Sequence, residues 1–174
     1  NIGKVSIELF NEILPNKEFS IGDVTIKPFS TSHDACNPVC YTVKDDASKV
    51  GIATDLGRFD EYTVENLKDS DALLLEANHD INMLHVGPYP YDLKKRVLSD
   101  KGHLSNESTG KLICNLFSDR LKYVFLGHLS KENNYPELAY ETVKIEMCNK
   151  LGNHGTQIKL FVANRDCPSQ VIEV

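Results

Sequence analysis

Apolar and polar residues alternate along Ile21–Phe29, where Val24, Ile26 and Pro28 are interleaved with Asp23, Thr25 and Lys27. That is the period of a half-buried strand entered through a Gly22-Asp23 turn. Pro38–Lys44 and Lys49–Thr54 read as two more strands, joined through Asp45–Ser48 as a hairpin. Thr63–Lys68 suits a short helix capped by Thr63, and Asp71–Ala77 (DALLLEA) a buried strand. Residues 81–101 carry no clear period: Pro88-Tyr89-Pro90 forces extended or turn geometry, and Tyr91–Leu98 suits a basic helical turn or two. Ser105 is a good N-cap, and Leu112, Ile113, Leu116 and Phe117 behind it form the stripe of a helix packed on one side. Leu121–Leu126 follows as a short buried strand. Pro136–Lys150 is a helix with Ala139, Val143, Met147 and Leu151 on one stripe, stopped by Gly152, and Thr156–Ala163 is a last strand.

Strands alternating with helices predict an α/β chain in one folded unit spanning residues 1–174, and 41% hydrophobic residues suffice for a real core. The formal net charge of −6 does not give the basic face usual for nucleic-acid binding, although a bound cation would invert the potential around its own site. No apolar run approaches the roughly 18 residues of a membrane span, and the start is not signal-like, so neither membrane nor export is expected. The five cysteines (Cys36, Cys40, Cys114, Cys148, Cys167) are odd in number and lack a CxxC spacing, which predicts reduced thiols and a cytoplasmic location. Asn1–Phe10 enters mid-pattern without an initiator methionine and reads as a processed product or a fragment.

The chemistry lies where the strands end. His33, Asp55, Glu76 and His128 each fall just past or at the end of a strand-like run, and His103 sits at a helix entry. In open α/β layers the carboxyl edge of the strands is where ligands bind. Taken singly, Asp55 is an ordinary turn former and His103 an ordinary backbone cap. Glu76 is harder to dismiss, because a carboxylate inside an apolar strand needs a partner. Imidazoles with a carboxylate are a ligand set for Zn²⁺, Mn²⁺ or Fe²⁺, and one carboxylate can bridge two metals.

The ordered set His33, Thr54-Asp55-Leu56-Gly57, Leu75-Glu76-Ala77-Asn78-His79-Asp80, Gly102-His103-Leu104-Ser105-Asn106 and Gly127-His128-Leu129-Ser130 resembles the metallo-β-lactamase-fold hydrolases. Within them it is similar to the YycJ/WalJ-like nuclease branch, related to tRNase Z. The resemblance runs from about Ile21 to the Val162–Arg165 tail. It implies an α/β (α+β) fold, a metallo-β-lactamase-type αββα sandwich, with His33 and His128 as metal ligands and Asp55 as the bridging ligand. It also implies that Glu76 and His103 pair beside the scissile phosphate, where His103 donates a proton to the leaving group; a carboxylate behind a histidine suits that task. Asp55, Glu76 and His103 are thus the expected catalytic residues. Lys94, Lys95 and Arg96, and the backbone at Ser105 and Asn106, are candidates for phosphate contacts. Asn78, His79 and Asp80 either line the pocket rim or bond the ligands from behind.

The HxHxDH motif that supplies most metal ligands in these enzymes is absent from the sequence, so the resemblance covers the C-terminal two-thirds of such a protein and the sandwich lacks its first strands. The expected activity of a full-length parent is a metal-dependent phosphodiesterase, a DNA exonuclease working from a 5′ end with two divalent metals, Zn or Mn. A small-ester or thioester hydrolase and a non-catalytic binding domain are the alternatives. This chain by itself is expected to hold metal weakly or not at all, to lack catalysis, and to expose an apolar surface or sheet edge that promotes self-association.

Overall fold

A computed structural model describes residue 3 and residues 5–174. The reading of Asn1–Phe10 falls in part on residues 1, 2 and 4, outside the described residues. Seven strands form one sheet in the order of the chain: β1 (Phe19–Ile21), β2 (Val24–Ser30), β3 (Val39–Lys44), β4 (Lys49–Ala53), β5 (Ala72–Glu76), β6 (Tyr123–Gly127) and β7 (Lys159–Val162). β1 to β4 pair antiparallel, whereas β4 to β7 pair parallel through helical crossovers. The crossovers carry α1 (Glu61–Leu67), then α2 (Ile81–Val86), α3 (Tyr91–Val97) and α4 (Asn106–Leu116), then α5 (Pro136–Leu151).

Register decides which residues share a face. Gly51, Leu73 and Val124 align across β4, β5 and β6, as do Ala53, Leu75 and Leu126 one step on. These residues are buried with Leu112, Ile113 and Leu116 of α4 and Ala139, Val143 and Met147 of α5. Each fully buried Leu or Ile contributes about 1.5–3 kcal/mol of apolar transfer. Gly110 permits the close α4–α5 crossing, since a Cβ there would stand 2.5 Å from Glu146 Cβ. On the opposite face Val50, Ile52, Leu74, Phe125 and Phe161 are only half-buried. The sheet ends at β1 and at β7, each paired on one side.

The strand expected over Ile21–Phe29 with its entry turn at Gly22-Asp23 is β2, which begins after that turn, at Val24; Ile21 instead ends β1, which pairs with β2 across it, with Gly22 at φ 57°. The first helix starts at Glu61, and its cap is Asp60, whose Oδ1 accepts from Thr63 N at 3.0 Å and from Thr63 Oγ1 at 3.1 Å. Residues 81–86, expected to be irregular, form α2, capped by Asp80 through Met83 N at 2.8 Å. The last strand begins at Lys159, because Gly152–Gln157 winds into a 3₁₀ turn after α5.

β2 runs in the same direction as β4, since β3 is antiparallel to both. The ends of β2, β4, β5 and β6 therefore lie along one edge of the sheet, and the loops beyond them carry His33, Asp55 and His128 beside Glu76.

Candidate metal centre

Glu76, the last residue of β5, is completely buried, and its carboxylate is held from three directions. Oε1 accepts from His103 Nδ1 at 2.6 Å and from His128 Nδ1 at 2.9 Å, while Oε2 accepts from Leu56 N at 2.8 Å. Burial alone would raise its pKa, but these donors outweigh it and the carboxyl is held below its ordinary value. The same contact, led by the Glu76 hydrogen bond, raises the pKa of His128.

The tautomers follow from the acceptors. His33 Nδ1 lies 2.9 Å from the Gly102 carbonyl, which can only accept, so that nitrogen carries the proton and Nε2 keeps its lone pair. In neutral His103 and His128 the Glu76 carboxylate fixes the proton on Nδ1 in the same way, leaving Nε2 open in each ring. The three rings stand in a row, with centroids 4.9 Å apart from His33 to His103 and 5.3 Å from His103 to His128.

Asp55 closes the group. Its Oδ1 is 3.6 Å from His33 Nε2, 3.8 Å from His128 Nε2 and 3.6 Å from His103 Nδ1. Asp55 and His128 both lie at φ 56°, in the left-handed region, and both are clamped there. Thr31 Oγ1 donates to the Asp55 carbonyl at 2.9 Å, and Asn78 Nδ2 donates to the His128 carbonyl at 2.9 Å. Two ligands on one tetrahedral Zn²⁺ stand about 3.4 Å apart, given bonds of about 2.0–2.2 Å. The His33–Asp55 and His128–Asp55 separations come within a few tenths of an ångström of that, so imidazole nitrogen and carboxylate oxygen fit a divalent cation here. Glu76 is close enough to count as a ligand, its group with Asp55, His103 and His128 lying within 4.8 Å. Both its oxygens are already engaged and sealed from solvent, so its contacts go to the two imidazoles and to Leu56 N.

The row opens into a cleft of about 830 Å³. Asn78 and Arg96 line it, but Arg96 is engaged: its Nε and Nη2 form a fork on Asp34, the Nη2–Oδ1 arm at 2.7 Å. That fork holds the Asp34 carboxyl down at about 2. Lys94 donates from Nζ to the His85 carbonyl at 2.7 Å, and it borders a separate depression together with Lys95. Ser105 caps α4, accepting from Ser108 N at 3.2 Å. Asn106 is buried against Asn134, and its backbone N–H donates to the His79 carbonyl at 2.9 Å. His79 itself is buried with neither ring nitrogen hydrogen-bonded, and burial pushes its pKa down to about 4.

The structure thus gathers His33, Asp55, Glu76, His103 and His128, with Asn78 and Arg96 beside them, and leaves Lys94 and Lys95 elsewhere. Lys131 and Arg165, which also line the cleft, and Asp34, which sits against His33 and Arg96, were not among the residues expected from the sequence. Arg165 follows β7 at the same carboxyl edge that pointed to the histidines, so the edge argument, carried one strand further, reaches it. All five cysteines are free, and no helix of the described residues is long and apolar enough to cross a membrane.

No model of a known protein family matches the chain. Over 174 residues it is 36% identical to the exodeoxyribonuclease WalJ of Streptococcus pneumoniae, an alignment covering 99% of this chain and 64% of the relative. The chain therefore spans less than two-thirds of the length of the curated relatives it matches. Among solved structures it is similar to the metallo-β-lactamase fold protein YhfI from Bacillus subtilis, with a TM-score of 0.58 at 14% identity over 87% of this chain and 50% of that one. It is equally similar to Zn²⁺-bound PqqB from Methylobacterium extorquens, with a TM-score of 0.58 at 15% identity over 91% of this chain and 55% of that one. With this sheet, this carboxyl-edge cluster and these relatives, the chain has the metallo-β-lactamase fold and is similar in sequence to the WalJ exodeoxyribonucleases.

Proposed function

We propose that, in a protein of its relatives' full length, this chain forms the acid-donating half of a metal-dependent phosphodiesterase, an exonuclease on DNA strands that works from a 5′ end. The observation that carries the reading is the shared carboxylate: one Glu76 oxygen fixes both His103 and His128, and Asp55 stands before them. The name of the pneumococcal relative supports DNA as substrate.

His33, Asp55 and His128 would hold divalent metal, for which the Zn²⁺-bound neighbour supports zinc, with manganese as the other candidate. Such ions, when bound, supply a nucleophile at neutral pH and neutralise phosphate charge. His103 does the proton work. With Nδ1 spent on Glu76 it can present only Nε2 to a leaving oxygen, and Glu76 stabilises the charged ring before the proton is given up. Asn78 holds the His128 loop in its left-handed turn, and the site opens into a cleft wide enough for a nucleotide. The free cysteines support a cytoplasmic setting, and the half-buried outer face of the sheet supports self-association of this chain.

The test uses a protein of the relatives' length with Mn²⁺ and end-labelled DNA. Stepwise shortening is expected, abolished by His103→Ala. Thioester hydrolysis without any shortening would move the assignment to a small-ester hydrolase.

A further inference from the structure

The row of imidazoles has two unlike ends. Beyond His33 lies Asp34, and the cation on that side, Arg96, is neutralised by its fork on Asp34. Beyond His128 the order reverses. The Leu129 carbonyl accepts from Arg165 Nη2 at 2.7 Å, and Lys131, two residues beyond Leu129, and Asn164, next to Arg165, also line the cleft. Among the described residues neither Lys131 nor Arg165 forms an ion pair with a carboxylate. Both cations line the cleft that holds the histidines. The bond to Leu129 fixes the Arg165 guanidinium while using one of its five N–H donors, so a planar fork remains for an oxyanion.

We propose that Arg165 and Lys131 form an anion-binding wall that takes the backbone phosphate next to the one held at the histidines, so that a single DNA strand leaves the site over β7. This rests on the phosphodiesterase reading and adds a direction to it. The other exit, over α3, faces the Asp34 carboxylate, which already holds Arg96, while the Lys94 amine, at a separate depression, is tied to the His85 carbonyl. Tyr89, just before α3, and Leu93, within it, supply an aromatic and an aliphatic surface to the cleft, the kind of surface on which a base stacks.

The test needs no turnover and uses the 174-residue chain. Binding of a fluorescein-labelled short oligothymidylate is followed by anisotropy over a range of salt concentrations. The double variant Arg165→Gln/Lys131→Gln is expected to bind roughly 10-fold more weakly at low salt. It should also lower the slope of log affinity against log salt by about 0.7, the value for one phosphate contact on a single strand. Lys144→Gln/Lys150→Gln, on α5, should bind like the unaltered chain. Loss carried instead by Lys94→Gln/Lys95→Gln, with the Arg165/Lys131 variant unchanged, overturns the proposal, as does the absence of salt-dependent binding to the unaltered chain. The hydrolase reading fails on a different measurement: Zn²⁺ titration in which Asp55→Asn makes no difference.

Discussion

His103 Nδ1 lies 2.6 Å from Glu76 Oε1, and that single buried oxygen also receives the Nδ1 proton of His128 at 2.9 Å. One carboxylate thus sets the tautomer of two rings whose positions in the chain are 25 residues apart, and Leu56 N occupies its other oxygen. Glu76→Gln places an amide where three donors converge, so either one N–H meets another inside the core or both rings move their proton to Nε2 and lose the lone pair they hold there. The expected cost is about 3 kcal/mol of stability, read from urea denaturation, with divalent-metal affinity falling about 10–100-fold. A Gln variant as stable as the unaltered chain would mean that Glu76 is protonated already.

Stability should fall on the acid side of neutrality, and His79 should cause most of it. Burial holds its folded pKa at about 4 against an ordinary 6.5, so the unfolded chain binds the proton first as pH drops. The stabilisation is complete above pH 6.5 and disappears as pH falls toward 4, up to about 3 kcal/mol for that difference. Glu76, with its pKa lowered, adds a further loss below its unfolded value of 4.5. His128 acts in the opposite sense: its pKa is raised, so its contribution is present below pH 6.5 and is lost as pH rises through the folded value. Thermal melts from pH 4 to 8 check this, and His79→Gln should flatten the slope between pH 4 and 6.5.

The strands and the histidine edge were legible because each rests on local information. Alternation marks β2 to β4, an interrupted apolar run marks Glu76, and strand ends mark His33, Asp55 and His128. Contacts between distant residues left no such trace. Arg96 reads as a free cation on a basic turn, yet its partner Asp34 lies 62 positions away. His128 reads as a lone ligand, yet its anchor Glu76 is 52 positions away and reaches it only because β5 and β6 pair in parallel register. The missed helix α2 is a matter of length: its six residues bury only Leu84, too little to show a period. The misplaced cap is a matter of competition, since Asp60 and Thr63 both suit an N-cap and Asp60 takes both the N–H and the hydroxyl of Thr63.

Gly102 ties the α3–α4 loop to the site. Its carbonyl accepts from His33, its N–H donates to the Ser99 carbonyl, and a Cβ there would overlap the Val97 and Arg96 carbonyls. Because those are backbone atoms, the clash has no flexible side chain to absorb it. Gly102→Ala should cost about 2–3 kcal/mol in denaturant unfolding. It should also shift the His33 ring signal in an NMR spectrum, where a purely local effect would leave that ring unmoved.

Metal binding by the isolated chain should be weak and should depend on Asp55. His33 and His128 each place Nε2 near Asp55 Oδ1, at 3.6 and 3.8 Å, and Glu76 has no oxygen to spare, so the available donors fall short of filling two metal sites. Elemental analysis after dialysis is expected to find fewer than one tightly held ion per chain. Titration with Zn²⁺ or Mn²⁺ should still detect binding, and Asp55→Asn should weaken it at least 10-fold. Asn is the informative replacement, because it tolerates the left-handed backbone at φ 56° and removes only the charge. His33→Ala should weaken binding comparably while leaving the Glu76–His103 pair intact, so two ions retained through dialysis, or an Asp55→Asn chain that binds as well as the original, would assign the ligands elsewhere.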